Sequence, residues 1–274
     1  MGQGSDHVRF DIAGIRFSLA SEYKRHIKQL GDHYKPFLCS ADEKCDLRIN
    51  VTAMKNSSKP SGIASKNSVL PLSLRYGNDF RLEGDISRGF FTVEARKDFD
   101  LTGIIRVITA AVLFERDGFL LHASGIKGGD RGYIFCGPSE SGKTTIARLS
   151  GGRDVLSDET VAVRKVRDRW YAYATPFWGD LGRQDRSLCA RLRAIFFIFK
   201  GTGFSHRRLC HREAVKRLIP NINLVDRDRY RMERLFDIAS EAAQSVPCHD
   251  LYFKPHRSIW RYIDGIDELL AKEK

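Results

Sequence analysis

The stretch Tyr133-Ile134-Phe135-Cys136-Gly137-Pro138-Ser139-Glu140-Ser141-Gly142-Lys143-Thr144-Thr145 runs an apolar strand pattern into Gly-x-x-x-x-Gly-Lys-Thr, then into helical spacing that reaches Leu149. Strand, glycine-bounded loop and helix, in that order, are the context in which this motif forms a phosphate cradle, the P-loop. Its glycines let successive backbone N–H groups turn into one concavity, and the helix that follows adds the positive end of its dipole. Gly137, Pro138, Ser139, Glu140, Ser141, Gly142, Lys143, Thr144 and Thr145 are therefore expected to bind the phosphates of ATP. Lys143 would reach the β- and γ-phosphates, and the Thr144 hydroxyl would ligate a magnesium ion.

Two constellations flank this loop. Asp158 and Glu159 follow the helix stop at Gly151-Gly152 and the short apolar run Val155-Leu156. They are expected at the carboxyl end of a strand near the loop strand, where open α/β sheets place ligands. Phosphoryl transfer needs an acidic magnesium ligand and a base or orienter near the attacking oxygen, and this pair offers both. A pair that merely caps a turn is the competing reading, since Asp is common there. On the other side, Phe119 to Ile126 and Tyr133 to Cys136 are expected to pair antiparallel around Gly128-Gly129-Asp130-Arg131. Lys127 then opposes Gly132, and His122 falls opposite Gly137. An imidazole there would hydrogen-bond the acidic pair or hold the γ-phosphate.

Outward from this centre the chain alternates strands and helices. Val155 to Ser157, Val161 to Lys165, Trp170 to Ala174, Ala194 to Phe199 and Asp250 to Phe253 read as strands, and Tyr230 to Ala243 and Asp264 to Ala271 as helices, which favours an α/β core. Upstream the signals are mostly β. Val8, Phe10, Ile12 and Ile15, Phe17, Leu19 alternate across Ala13-Gly14; Leu47, Ile49, Val51 form another run; Tyr76-Gly77-Asn78-Asp79 reads as a hairpin turn and Lys55 to Ser68 as a loop. Leu101, Ile104, Ile105, Ile108 and Val112 then mark a buried connecting helix. The expected organisation is a β-rich N-terminal domain over 1–98 and an α/β domain over 99–274.

Leu121-His122-Ala123-Ser124, the P-loop and Leu156-Ser157-Asp158-Glu159-Thr160-Val161-Ala162-Val163 together resemble HPr kinase/phosphorylase and its relatives, whose core is similar to that of phosphoenolpyruvate carboxykinase. The resemblance is carried by Phe119 to Ala174. It implies an ATP- and magnesium-dependent kinase in which His122, Lys143, Asp158 and Glu159 are catalytic, and Thr144 and Asp158 hold the metal. The second acid of the family's pair is Glu159 here, so which carboxylate is the base stays open. Thr175-Pro176-Phe177-Trp178-Gly179-Asp180 and Val246-Pro247-Cys248-His249-Asp250-Leu251-Tyr252-Phe253 resemble more closely the HPr-kinase-like proteins of peptide-maturation cassettes, lasso-peptide kinases among them. That likeness implies a peptide acceptor and makes Asp180 a candidate further metal ligand; a packed aromatic turn is the plainer account of the same residues.

Charge narrows the partners. With 274 residues, 42% hydrophobic and 29% charged, the chain is too apolar for intrinsic disorder, and its formal net charge of +12 calls for an anionic partner. Between Arg183 and Arg234 stand 14 Lys or Arg against 5 Asp or Glu, a surplus suited to an acidic peptide or to the phosphate-rich site itself. No helix-turn-helix, zinc-finger or RNA-stacking signature accompanies those arginines, which disfavours nucleic acid. The longest strongly apolar run, Ala194 to Phe199, is too short to span a bilayer, and the six cysteines include no Cys-x-x-Cys pair. A cytoplasmic, reduced protein without a membrane contact is expected, with oligomerisation open. The expected function is transfer of the γ-phosphate of ATP to a hydroxyl, in the first place serine, of a peptide or small protein. A non-catalytic ATP-binding regulator of a peptide-modification system, and a bifunctional HPr kinase/phosphorylase, are the alternatives.

Overall fold

The computed structural model describes residues 7–40, 42–54, 71–76, 79–182, 187–225 and 229–272. The chain divides into two compact units, Met1–Val112 and Leu113–Lys274. In the first unit, alternating apolar side chains build β1 (His7–Ile12) and β2 (Ile15–Ser21), paired antiparallel with Ile12 opposite Ile15. Between them Ala13 and Gly14 take positive φ, 56° and 76°, the two-residue turn whose twist suits a hairpin. Then come α1 (Lys24–His33), β3 (Leu47–Ala53), β4 (Pro71–Tyr76), β5 (Phe80–Asp85) and β6 (Phe90–Ala95), giving a mixed sheet in the order β1-β2-β3-β6-β5-β4. Phe10, Phe17, Leu47, Phe91 and Tyr34 are fully buried, with Phe10 stacked on Phe17 at 5.0 Å. The expected loop over Lys55 to Ser68 and the turn residues Gly77 and Asn78 lie outside the described residues.

α2 (Thr102–Glu115) follows, its start capped where the Thr102 amide donates to Asp100 at 2.9 Å. The division between the units falls inside this helix, later in the chain than the boundary read from sequence at 98/99.

In the second unit the order is β7 (Gly118–Gly128), β8 (Arg131–Cys136), α3 (Lys143–Arg148), β9 (Asp154–Ser157), β10 (Thr160–Val166), β11 (Arg169–Tyr173), β12 (Cys189–Lys200), β13 (Ser205–Arg208), α4 (His211–Leu218), α5 (Arg229–Ser245), β14 (Cys248–Phe253) and α6 (Ile259–Lys272). The architecture is mixed α/β. The sheet runs β11-β10-β7-β8-β12-β14-β13, with β9 set on β7, and β11 also pairs the start of β12, so that β11, β10, β7, β8 and β12 close on themselves. Parallel β8, β12 and β14 form its centre. The second half of β12 reads as a continuous apolar run because both faces are covered: Ile195 to Ile198 are all buried. One face packs Phe135, Phe196, Leu251 and Phe253 against Ile146 of α3 and Ile259, Trp260 and Ile263 of α6. No helix among the described residues is long and apolar enough to cross a membrane.

β14 also buries a histidine. His249 packs 5.5 Å from Phe196 and 5.4 Å from His206, and neither ring nitrogen finds a hydrogen-bond partner. Burial first, then the neighbouring His206 and Arg208, lower its pKa from 6.5 to about 4. A depressed histidine is folded as the neutral ring, so the stability it permits is present above pH 6.5 and lost as pH falls toward 4, by roughly 3 kcal/mol at the limit. His249→Phe should flatten that part of the acid limb in denaturant titrations between pH 7 and 4; an unchanged limb would assign the loss to another group.

Candidate active site

β8 is buried from Gly132 to Cys136 and delivers Gly137 to the end of the sheet, where the chain turns through Pro138, Ser139 and Glu140, all exposed. The loop then folds back on its own beginning. A Cβ on Gly137 would stand 2.5 Å from Ser141 Oγ, so only glycine permits that approach. The Ser141 amide donates to Pro138 O at 3.3 Å, while the Ser141 hydroxyl, buried, has no hydrogen-bond partner. Glu140 and Gly142 take positive φ, 62° and 105°, and Gly142 starts α3 with no side-chain cap. Its missing Cβ would lie 2.7 Å from the Phe253 ring, at the end of β14. Gly142→Ala therefore meets both a left-handed backbone and an occupied space; it should cost about 1–3 kcal/mol and loosen nucleotide binding, read by melting temperature and ATP titration.

Lys143 is buried, and its ammonium turns back over the loop, donating to Gly137 O at 2.8 Å and Pro138 O at 3.0 Å. Burial lowers the pKa of this amine, opposed by the negative charge of Glu159 and, less, by Cys136. Thr144 and Thr145 are half-buried in the first turn of α3.

The β7–β8 register is the one expected. Lys127 opposes Gly132 and Ala123 opposes Cys136, so His122, one residue further, stands level with Gly137. On its other edge His122 opposes Thr160 of β10. That pairing brings the imidazole to the acidic pair: His122 Nδ1 lies 3.3 Å from Glu159 Oε1, both side chains partly exposed.

Asp158 and Glu159, adjacent in sequence, are treated differently by the fold. Asp158 is buried, and its two oxygens accept the amides of Gly179 and Leu181, each at 2.9 Å. Gly179 comes so near that a Cβ would meet Asp158 Oδ2 at 2.9 Å. Two hydroxyls that sequence reading passed over fix this arrangement. Ser157 Oγ accepts the amides of Glu159 and Thr160 and donates to Phe177 O at 3.4 Å; Thr175 Oγ1 donates to Thr160 O at 2.5 Å. The signal for Ser157 was in the sequence, as a serine able to bond amides two and three residues on. Asp180, expected as a further metal ligand, is exposed and lies between the two residues whose amides hold Asp158. Among the described residues no three His, Cys, Asp or Glu side chains form a metal-sized group.

The chain matches no protein-family model and no curated protein. Among solved structures it is similar to the HPr(Ser) kinase/phosphatase from Coxiella burnetii, at 9% identity and a TM-score of 0.30, over 56% of this chain and 95% of that one. The chemistry of the site follows from its own residues.

Those residues fit a polyphosphate. A loop whose glycines leave no room for side chains, a buried hydroxyl without a partner and a buried ammonium resting on loop carbonyls are all features that phosphate oxygens would satisfy.

Proposed function

We propose that the chain is an ATP- and magnesium-dependent kinase that transfers the γ-phosphate to a hydroxyl, in the first place serine, of an acidic peptide or small protein. The observation that carries this reading is the meeting, at one strand end, of the glycine-shaped loop with its buried Lys143 and the His122–Glu159 pair. Loop amides and the ammonium would hold the β- and γ-phosphates and stabilise charge on the group in transfer. Thr144 and the Asp158–Glu159 turn offer the hard oxygen donors that suit magnesium. That ion leans on phosphate oxygens and waters more than on a protein cage, and when bound it would neutralise phosphate charge.

Glu159 is the base in this reading. Its carboxylate is open enough to meet an acceptor hydroxyl, and His122 holds it facing the loop. Asp158, committed to two amides, fixes the turn from which Glu159 projects. The surplus of 14 basic over 5 acidic residues between Arg183 and Arg234 supports an acidic acceptor.

Incubation with γ-labelled ATP and a panel of serine-containing acidic peptides tests the reading. Label in peptide supports it; tight ATP binding with no transfer to any acceptor in a whole lysate would replace it with a nucleotide-sensing role.

A further inference from the structure

β8, β12 and β14 begin at the end of the sheet away from the P-loop, and there Arg131, Arg191, Arg193 and Arg208 line an open depression of about 670 Å³. Asp130 is the one carboxylate among the lining residues. An adjoining depression of about 530 Å³ shares Asp130 and Arg191 and adds Lys127 and Arg169. Together they make an elongated, strongly cationic seat. Six residues of β8 separate it from the P-loop, a span of roughly 20 Å at the usual rise of a strand.

Two of the arginines are held in place from behind. Arg131 and Arg193 both donate to the carboxylate of Asp267 on α6, which is buried. Asp267 faces both guanidiniums and Asp130 stands 4.0 Å from Arg131, so this pair is held in a fixed orientation with little net charge of its own. Arg191 and Arg208 are exposed at the rim. The carboxyl end of α5, Ala243 to Ser245, also lines the depression; its partial negative charge is outweighed by the full charges of Arg191 and Arg208.

We propose that this seat is a docking site for an acidic segment of a polypeptide, bound through its side-chain carboxylates. Anchored guanidinium forks match planar carboxylates two bonds at a time, and an elongated seat suits an extended chain better than a compact ion. Nucleic acid is the poorer occupant, because no Phe, Tyr or Trp lines the larger depression and a single tyrosine, Tyr171, lines the adjoining one, too few rings for successive bases to stack on. That the docked polypeptide is also the phosphoryl acceptor rests on the proposed kinase reading; the docking itself does not.

The test is an anisotropy titration of a fluorescein-labelled octaglutamate peptide against the full chain at low salt. Arg191→Glu combined with Arg208→Glu should weaken binding at least about tenfold. These two are chosen because removing Arg131 or Arg193 would disturb the partners of a buried carboxylate. A charge-matched control, Lys44→Glu with Arg48→Glu on exposed positions of the other unit, should change affinity by no more than about twofold. Absence of peptide binding by the unaltered chain, equal loss in both double variants, or displacement of the peptide by oligothymidylate of equal charge at lower concentration would each overturn the proposal. ATP titration should be unchanged in R191E/R208E, and peptide binding unchanged in Lys143→Ala, so failure of the docking site and failure of the P-loop reading give different results.

Discussion

Lys143→Ala should weaken ATP binding at least about a hundredfold and leave no measurable phosphoryl transfer. The ammonium is the one cation placed on the loop itself, bonded to the carbonyls of Gly137 and Pro138, and it would exchange those partners for phosphate oxygens when nucleotide enters. Its loss removes the charge and leaves two loop carbonyls without their donor, at a cost to stability of about 1 kcal/mol. Lys143→Arg should not rescue binding, since a planar fork cannot occupy a pocket shaped for a point charge. Calorimetric titration of ATP into both variants, with melting curves to show that each is folded, checks this. Affinity within about threefold of the unaltered chain in Lys143→Ala would remove the P-loop from the mechanism.

Glu159→Gln separates holding from chemistry. The substitution keeps the size of the side chain and its place 3.3 Å from His122, but an amide accepts no proton at neutral pH. kcat should fall by about 10²–10⁴ while ATP binds as well as before or better, because a negative charge facing the phosphates has gone. Asp158→Asn should behave differently. One of its oxygens becomes an NH2 set against an amide N–H, and the turn over Gly179 to Leu181 loosens with a loss of about 1–3 kcal/mol in stability. If instead Asp158→Asn abolished turnover with the fold intact and Glu159→Gln remained active, the roles of the two acids would be exchanged.

What could be read from sequence was local. The β7–β8 hairpin turns over Gly129 and Asp130, so counting outward from that turn was enough to set His122 level with Gly137. Alternation likewise revealed the β1–β2 hairpin and β3. Parallel pairing leaves no such trace: Phe135 and Phe196 are register partners far apart in the chain, and nothing in either segment names the other. β12 was read as Ala194 to Phe199 but begins at Cys189. Its first half alternates arginine with Ala190, Leu192 and Ala194 and lacks the unbroken apolar run of its second half. β13 and α4 were missed because Ser205 to Arg208 is a largely exposed edge strand, and α4 is short, charged and half solvent-facing. In the site the residue types were legible but their division of roles was not. Asp158 and Glu159 look equivalent as neighbours, and only amides 21 and 23 residues downstream distinguish them.

The clamp on Asp158 has a consequence for how such a protein can change. Gly179 and Leu181 belong to a segment that neither β8 nor α3 supplies, yet they fix the residue next to Glu159. In the kinase proposed above, nucleotide retention and the aim of the acid are thus written in separate stretches of polypeptide. Drift in the later stretch would then retune which alcohol is favoured, or silence transfer altogether, while the hold on the cosubstrate is inherited intact.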